Sequence, residues 1–175
     1  FTHEELMMLW EHKDLTFVDT VLIYCYSGWR INELARMPAE NIDLEEKTFT
    51  GGLKNRYSRN RTVPIHSAVY EMVCRRMDGH FRSLIYHDGA RNISKQKYRE
   101  CFHAAIQACG IQTKHTPYDC RYTFNMLLDN AGADRVTRYK LMGHKGQDIN
   151  ENIYTHKDLG QLREAIEAIK TGYEC

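Results

Sequence analysis

The sequence predicts an α+β fold: a mostly helical domain carrying a small antiparallel β-sheet and hairpin near residues 41–65. Three observations predict it. Apolar residues recur at three- and four-residue spacing along most of the chain, as one face of a helix requires. Between Asn41 and Ile65 that spacing gives way to short runs of β-branched and aromatic residues, broken by Gly51-Gly52 and a polar stretch. Elsewhere Ser, Thr and Asp stand where helices would start, and glycines stand where they would end.

The elements follow in order. Thr2-His3-Glu4-Glu5 has the pattern of a capping box, so a short first helix runs to about Lys13. Asp14 is placed to cap the next helix, whose Phe17, Val18, Val21, Leu22 and Cys25 make a core stripe ended by Gly28. Arg30 then opens a helix that buries Ile31, Leu34 and Ala35. A cation gains nothing from the dipole at a helix start, but Glu33, three residues on, is spaced to hold it.

Asn41–Leu44 and Thr48–Thr50 form a strand pair around Glu45-Glu46. Leu53-Lys54 and Arg61–Ile65 flank a polar loop, giving a basic hairpin with Lys54, Arg56, Arg59 and Arg61 around one tyrosine. Two readings of this cluster weigh equally on composition: a solvated edge blunted by charge, or a contact with phosphate. Ser67–Met77 is an amphipathic helix, and His87–Asn92 is a turn-rich loop. Ser94 caps a helix to about Ala108 whose first turns carry Lys95, Lys97 and Arg99.

Thr116-Pro117 starts a further helix, with Phe124, Leu127, Leu128 and Ala131 inward and Gly132 as its stop. Tyr118 and Arg121 lie three apart and share a side near that N-terminus, where anions are favoured. Asp134 opens the next helix, Gly143 closes it, and His144 follows directly. Tyr154 comes after a polar loop, and Leu159, Leu162, Ile166 and Ile169 make a final amphipathic helix.

Composition bounds the class. The 175 residues suit one domain spanning 1–175, with enough chain to bury a core. The greasiest run, Val21–Tyr26, is too short to cross a membrane, and no basic-then-apolar leader points to secretion. The six cysteines form no CxxC pair and sit in apolar helical patterns, which fits free thiols in a reducing cytoplasm. Nine histidines and six cysteines show no zinc-ligand spacing, so no metal site is expected. A net charge of +1 leaves nucleic acid open, so any such surface must come from local clustering.

Singly, the polar residues above are unremarkable: most arginines at helix starts are solvated, and a lone histidine or tyrosine is usually structural. Their order is specific. Tyr26-Ser-Gly-Trp-Arg30-Ile-Asn-Glu33-Leu34, Gly51-Gly-Leu-Lys54, Asp119-Cys-Arg121-Tyr-Thr-Phe124, Gly143-His144 and Ile153-Tyr154-Thr-His156 resemble the tyrosine recombinase (phage integrase) family across nearly the whole chain. The hairpin and the Tyr154-Thr-His-Lys-Asp sequence are similar to those of phage and conjugative-transposon integrases.

That resemblance implies site-specific cutting and rejoining of DNA through a 3′-phosphotyrosine, integrating or excising a mobile element. Arg30 and Arg121 would clamp the phosphate, Tyr154 would attack it, Lys54 would protonate the leaving 5′-oxygen and His144 would hydrogen-bond the phosphate. Neither cofactor nor metal is implied. Where Tyr118 stands, most members have histidine, and the residue after Arg121 is usually histidine but here is Tyr122. A phenol with a pKa near ~10 is a poor base yet donates a hydrogen bond, so Tyr118 carries over as a phosphate-contacting or relay residue. His115 is a nearby substitute but precedes the helix start.

The implied partner is double-stranded DNA, contacted by Arg56, Arg59, Ser94, Lys95 and Arg99. The implied assembly is a homotetramer on two duplexes, with exchange of the C-terminal helix and a directionality factor. The implied place is the bacterial cytoplasm or nucleoid. Family members usually carry an N-terminal helical domain that clasps the other face of the DNA, whereas this chain opens on the first catalytic-domain helix. The expectation is a fragment limited to that domain, binding DNA weakly alone. A DNA-binding module with impaired chemistry and a type IB topoisomerase-like nicking-closing enzyme are the alternatives.

Overall fold

The computed structural model describes residues 1–52, 60–78, 83–87, 91–144 and 158–172. Helix α1 (His3–Glu11) starts with the expected capping box: Thr2 Oγ1 accepts from the Glu5 backbone N–H and the Glu5 carboxylate accepts from that of Thr2, at 3.2 and 2.8 Å. Helix α2 (Val18–Cys25) is the axis of the domain. Val18 and every residue from Thr20 to Cys25 is fully buried, which marks a helix surrounded by other elements rather than lying on a surface. Two of its buried polar side chains are bonded inside: Tyr24 Oη donates to the Ile31 carbonyl at 2.8 Å, and Thr20 Oγ1 lies 3.0 Å from Tyr98 Oη.

Asp14 does not cap α2. The chain makes a further turn after α1, and Phe17, in left-handed conformation at φ 67°, takes the cap position. Asp14 accepts instead from Arg75 at 3.1 Å on the surface. The helix starts at Val18, and Asp14 lies too far upstream to reach it.

After α2 the chain turns at Gly28 into the four-residue helix α3 (Ile31–Leu34), and a 3₁₀ turn at Ala39–Asn41 leads into the sheet. Strands β1 (Ile42–Asp43), β2 (Thr48–Gly51) and β3 (Arg61–Pro64) are antiparallel, with Phe49 opposite Val63 and Gly51 opposite Arg61. Phe49 and Val63 are fully buried on the inner face. The fold class is the expected one: helices with a small three-stranded sheet.

The remaining helices are α4 (Ser67–Met77), α5 (Lys95–Ala108), α6 (Pro117–Asn130), α7 (Arg135–Met142) and α8 (Leu159–Glu167). The supposed loop at His87–Asn92 is flanked by two short strands, β4 (Tyr86–His87) and β5 (Arg91–Asn92), which pair antiparallel. Helix α6 packs along α2, bringing Cys120, Phe124 and Leu128 into the core, and α7 folds back on α6. Burying each such large apolar side chain contributes about 1.5–3 kcal/mol.

Helix α8 packs in cis. Leu162, Ile166 and Ile169 are buried, Ser67 donates through its backbone N–H and hydroxyl to Glu167 at 2.9 and 2.6 Å, and Arg163 donates to the Glu46 carbonyl at 2.6 Å. Among the described residues no helix is long and apolar enough to cross a membrane.

Candidate active site

The first half of the site is built on the bend between α2 and α3. Arg30 is the residue before α3, in extended conformation, and its backbone N–H donates to Glu33 Oε2 at 3.2 Å. Its guanidinium Nη1 donates to Glu33 Oε1 at 3.1 Å. The spacing of three therefore does what the sequence suggested, and Arg30 is left partly exposed at the surface of a buried carboxylate.

Glu33 has a second arginine. Arg61 Nη2 donates to Glu33 Oε2 at 3.1 Å, and the Arg61 guanidinium lies over the Trp29 ring at 3.8 Å. Arg61 belonged to the basic hairpin cluster in the sequence, yet it is only 7% exposed. The solvated-edge reading fails for this residue. A signal was available: Arg61 and Val63 alternate on β3, so they share its inner face.

The second half comes from α6 and α7. Arg121 is 1% exposed and donates from Nη1 to the Gly28 carbonyl and from Nη2 to the Met142 carbonyl. The first contact reaches the bend beside Arg30, and the second reaches the last residue of α7. Gly143, at φ 62°, ends α7 in the left-handed turn that glycine tolerates, and this sets His144 beside Arg121. Arg121 Nη2 and His144 Nε2 are 3.0 Å apart. A guanidinium has no acceptor, so Nε2 is the bare nitrogen and the His144 proton sits on Nδ1.

The cations feel one another. Burial and the charges of Arg30 and Arg61 bring the Arg121 pKa down to about 10, so it remains charged at neutral pH. Burial first, then the Arg121, Arg30 and Arg61 charges, lower that of His144, so its neutral form is favoured. Burial lowers that of Arg61, with Glu33 opposing. Among the described residues, Arg30 and Arg61 share the Glu33 carboxylate and Arg121 adds a third positive charge nearby, an excess that a phosphodiester would offset.

Tyr118 is 46% exposed and packs edge-on against Tyr122, with ring centroids 5.0 Å apart. It lines, with Tyr122, Arg121, Arg138, Tyr139 and His144, a cavity of about 420 Å³. His115 faces away: its Nε2 lies 3.0 Å from Glu5 Oε2 and its ring stacks on Phe1, tying α6 to α1. It does not stand in for the missing histidine.

Lys54, Arg56, Arg59 and Tyr154 lie outside the described residues. Lys95 and Arg99 are exposed on the first turns of α5, while Ser94 is its cap, with Oγ accepting from the Lys97 backbone N–H at 3.1 Å. Among the described residues no group of three or more His, Cys, Asp and Glu side chains is arranged to hold a metal ion.

Comparison with known proteins matches this arrangement to a family. Residues 4–160 match the Phage integrase family, and the chain belongs to it. The tyrosine recombinase XerC of Thermodesulfovibrio yellowstonii is 24% identical over 157 residues, covering 83% of this chain and 51% of that protein. XerC of Halalkalibacterium halodurans is 25% identical over 156 residues, covering 79% and 49%. This chain thus spans about half the length of the curated relatives it matches.

In structure, the integrase of mycobacterium phage Brujita superposes with a TM-score of 0.75 at 21% identity, covering 97% of this chain and 57% of that one. XerA recombinase gives 0.73 at 22% identity, covering 94% and 60%. The Tn1549 transposon integrase, in complex with circular-intermediate DNA, gives 0.63 at 22%, covering 87% and 57%. These three share the fold.

Proposed function

We propose that this chain is the catalytic domain of a site-specific DNA recombinase that cuts and rejoins strands of a mobile element. The observation that carries the proposal is the joining of Arg30, Arg121 and His144 in one cation-rich site, within a chain of the phage integrase family. Arg30 and Arg121 bind the non-bridging oxygens of the attacked phosphate and absorb the charge that grows there. His144 offers Nδ1–H to the same group, and Tyr118 donates its phenolic hydrogen from the open side.

Tyr154 and Lys54 take their roles from the family pattern. The Tyr154 phenol gives up its proton to solvent, and its oxygen forms a bond to phosphorus as the bond from phosphorus to the 5′-oxygen breaks. The products are a 3′-phosphotyrosine and a 5′-hydroxyl, whose proton comes from Lys54. The new ester keeps the energy of the broken one, so attack by another 5′-hydroxyl reverses the step. Duplex DNA is the partner, with Arg56, Arg59, Lys95 and Arg99 on its backbone. Four protomers around two duplexes, a directionality factor, and residence in the bacterial cytoplasm complete the proposal.

The test uses a library of nicked duplexes randomised on both sides of the nick, incubated with protein and denatured in SDS. A covalent adduct that enriches particular sequences and disappears in Tyr154→Phe supports the reading. DNA binding with no adduct from any library member would falsify it. Relaxation of supercoiled plasmid without sequence preference would replace it with the topoisomerase-like reading.

A further inference from the structure

We infer that Arg61 is a positioning residue for the Arg30 clamp. Arg61 holds Glu33 by one oxygen, so that the carboxylate steadies Arg30 without neutralising it. The inference rests on the proposed recombinase reading.

The division of Glu33 is the starting point. Its Oε1 takes Arg30 Nη1 at 3.1 Å, while its Oε2 takes the Arg30 backbone N–H at 3.2 Å and Arg61 Nη2 at 3.1 Å. An arginine and a carboxylate alone prefer a two-toothed pair, with both oxygens facing one guanidinium. In that pairing Arg30 would be locked to Glu33 and its charge cancelled. Arg61 blocks it by occupying the second oxygen. Arg30 is then held through one nitrogen, and its other guanidinium N–H groups remain for a phosphate.

Stability alone does not account for Arg61. It is 7% exposed, and its Nε and Nη1 are buried without a hydrogen-bond partner. Burial lowers its pKa, the mark of a cation held where water cannot reach it. The Trp29 face at 3.8 Å stacks on it, but an apolar chain of the same length would cover that ring as well. Replacing a whole buried ion pair by apolar side chains is often neutral for stability, whereas removing Arg61 alone breaks its buried pair with Glu33 and costs stability. Its charge also reaches further, being among those that depress the pKa values of Arg121 and His144.

Arg61 also ties two parts of the chain together. It is the first residue of β3, opposite Gly51, while Arg30 caps α3 and Glu33 lies in its first turn. Through Glu33 the sheet sets the angle at which Arg30 leaves the surface, and small errors in such a group cost rate steeply.

The experiment compares wild type, Arg61→Met, Arg61→Lys, Arg30→Ala and the double variant Arg30→Ala/Arg61→Met. It reads melting temperature, affinity for an intact duplex carrying a sequence enriched from the library, and the single-turnover rate of adduct formation on its nicked form at saturating protein. Arg61→Met should melt lower than wild type yet stay folded at the assay temperature and bind the duplex within about threefold, while forming adduct roughly tenfold to a hundredfold more slowly. Arg61→Lys should recover part of the rate, since an ammonium still engages one carboxylate oxygen. The double variant should be no slower than Arg30→Ala, because nothing is left to position.

Either of these would overturn the inference while leaving the recombinase reading intact: an Arg61→Met rate equal to wild type, or a double variant slower than Arg30→Ala by the full Arg61→Met factor. An Arg61→Met protein that melts far lower and whose loss Arg61→Lys does not relieve would make Arg61 a purely structural residue, again overturning it. Absence of adduct from wild type would overturn both, and is told apart because the loss then precedes any substitution.

Discussion

Arg121 Nη2 lies 3.0 Å from His144 Nε2, and that contact settles which nitrogen of the imidazole carries the proton. Nε2 accepts from the guanidinium, so Nδ1–H is the donor left for a phosphate. Protonating the ring would set a cation against Arg121, and burial with the Arg121, Arg30 and Arg61 charges already lowers the His144 pKa from 6.5. The rate of adduct formation should therefore hold as pH falls to the ordinary histidine range and decline only below it. In His144→Gln this acid limb should be lost. The stability sign follows from the same shift. As pH falls through the unfolded value, the unfolded chain takes up the proton first, and the fold loses stability until the folded value is passed.

Gly28 carries another Arg121 contact, and its substitution should be severe. It sits at φ 63°, and a Cβ there would meet the Phe124 ring carbon Cδ1 at 2.1 Å. Gly28→Ala adds backbone strain and a clash with a fully buried side chain, at a combined cost of about 3 kcal/mol. It also displaces the carbonyl that anchors Arg121. Urea unfolding should show a lower midpoint, and the adduct rate should fall even at temperatures where the variant is folded.

These contacts show what the sequence could and could not reveal. The tie between Arg30 and Glu33 is local, spaced by one helical turn, and was legible. So were the caps at Thr2, Ser94, Thr116 and Asp134, because each lies within three residues of what it bonds. The contacts of Arg121 with Gly28 and Met142 depend on how α6 packs against α2 and α7, and no periodicity encodes that. Arg61 is the instructive case. Composition grouped it with the basic cluster of the hairpin, whereas the pleat of β3 placed it on the face of Val63, and the pleat decides. Asp14 misled for the converse reason: a good capping residue has no effect when packing starts the helix further on.

An anion should stabilise the fold. Arg121 is buried with its pKa lowered to about 10, and Arg30 and Arg61 add to the repulsion, so a bound phosphate relieves a cost present in the free protein. A ligand at a hundred times its dissociation constant adds about 2.7 kcal/mol, or roughly 5–10 °C in Tm for a chain of this size. Titrating inorganic phosphate at constant ionic strength should raise the melting temperature of wild type and much less that of Arg30→Ala. Equal shifts in both proteins would place the anion elsewhere.

Tyr118 stands where relatives usually carry histidine, and the structure makes the exchange inexpensive. The side chain is 46% exposed and, among the described residues, its ring packs edge-on against Tyr122, so Tyr118→His removes little buried surface. A neutral imidazole N–H offers the hydrogen bond that the phenol offers. Thermal stability should change by less than about 1 kcal/mol, and adduct formation should hold or rise. A collapse in rate with unchanged stability would show that the phenol makes a contact an imidazole cannot reach.

The start of α5 gives the last prediction. Lys95 and Arg99 are exposed there, one turn apart on the same side of the helix, while Lys97 lies 3.8 Å from Glu100 and is partly neutralised. If the first two lie on DNA phosphates, each releases about one counterion on binding, and the logarithm of affinity falls with the logarithm of salt by about 0.9 per contact. Changing both to Gln should flatten that dependence by about two, with weaker binding across all sequences and unchanged sequence preference. Lys97→Gln should flatten it far less, because its charge already has a partner. Equal salt slopes in wild type and the Lys95/Arg99 double variant would remove this helix start from the DNA footprint and leave the backbone contacts to other parts of the chain.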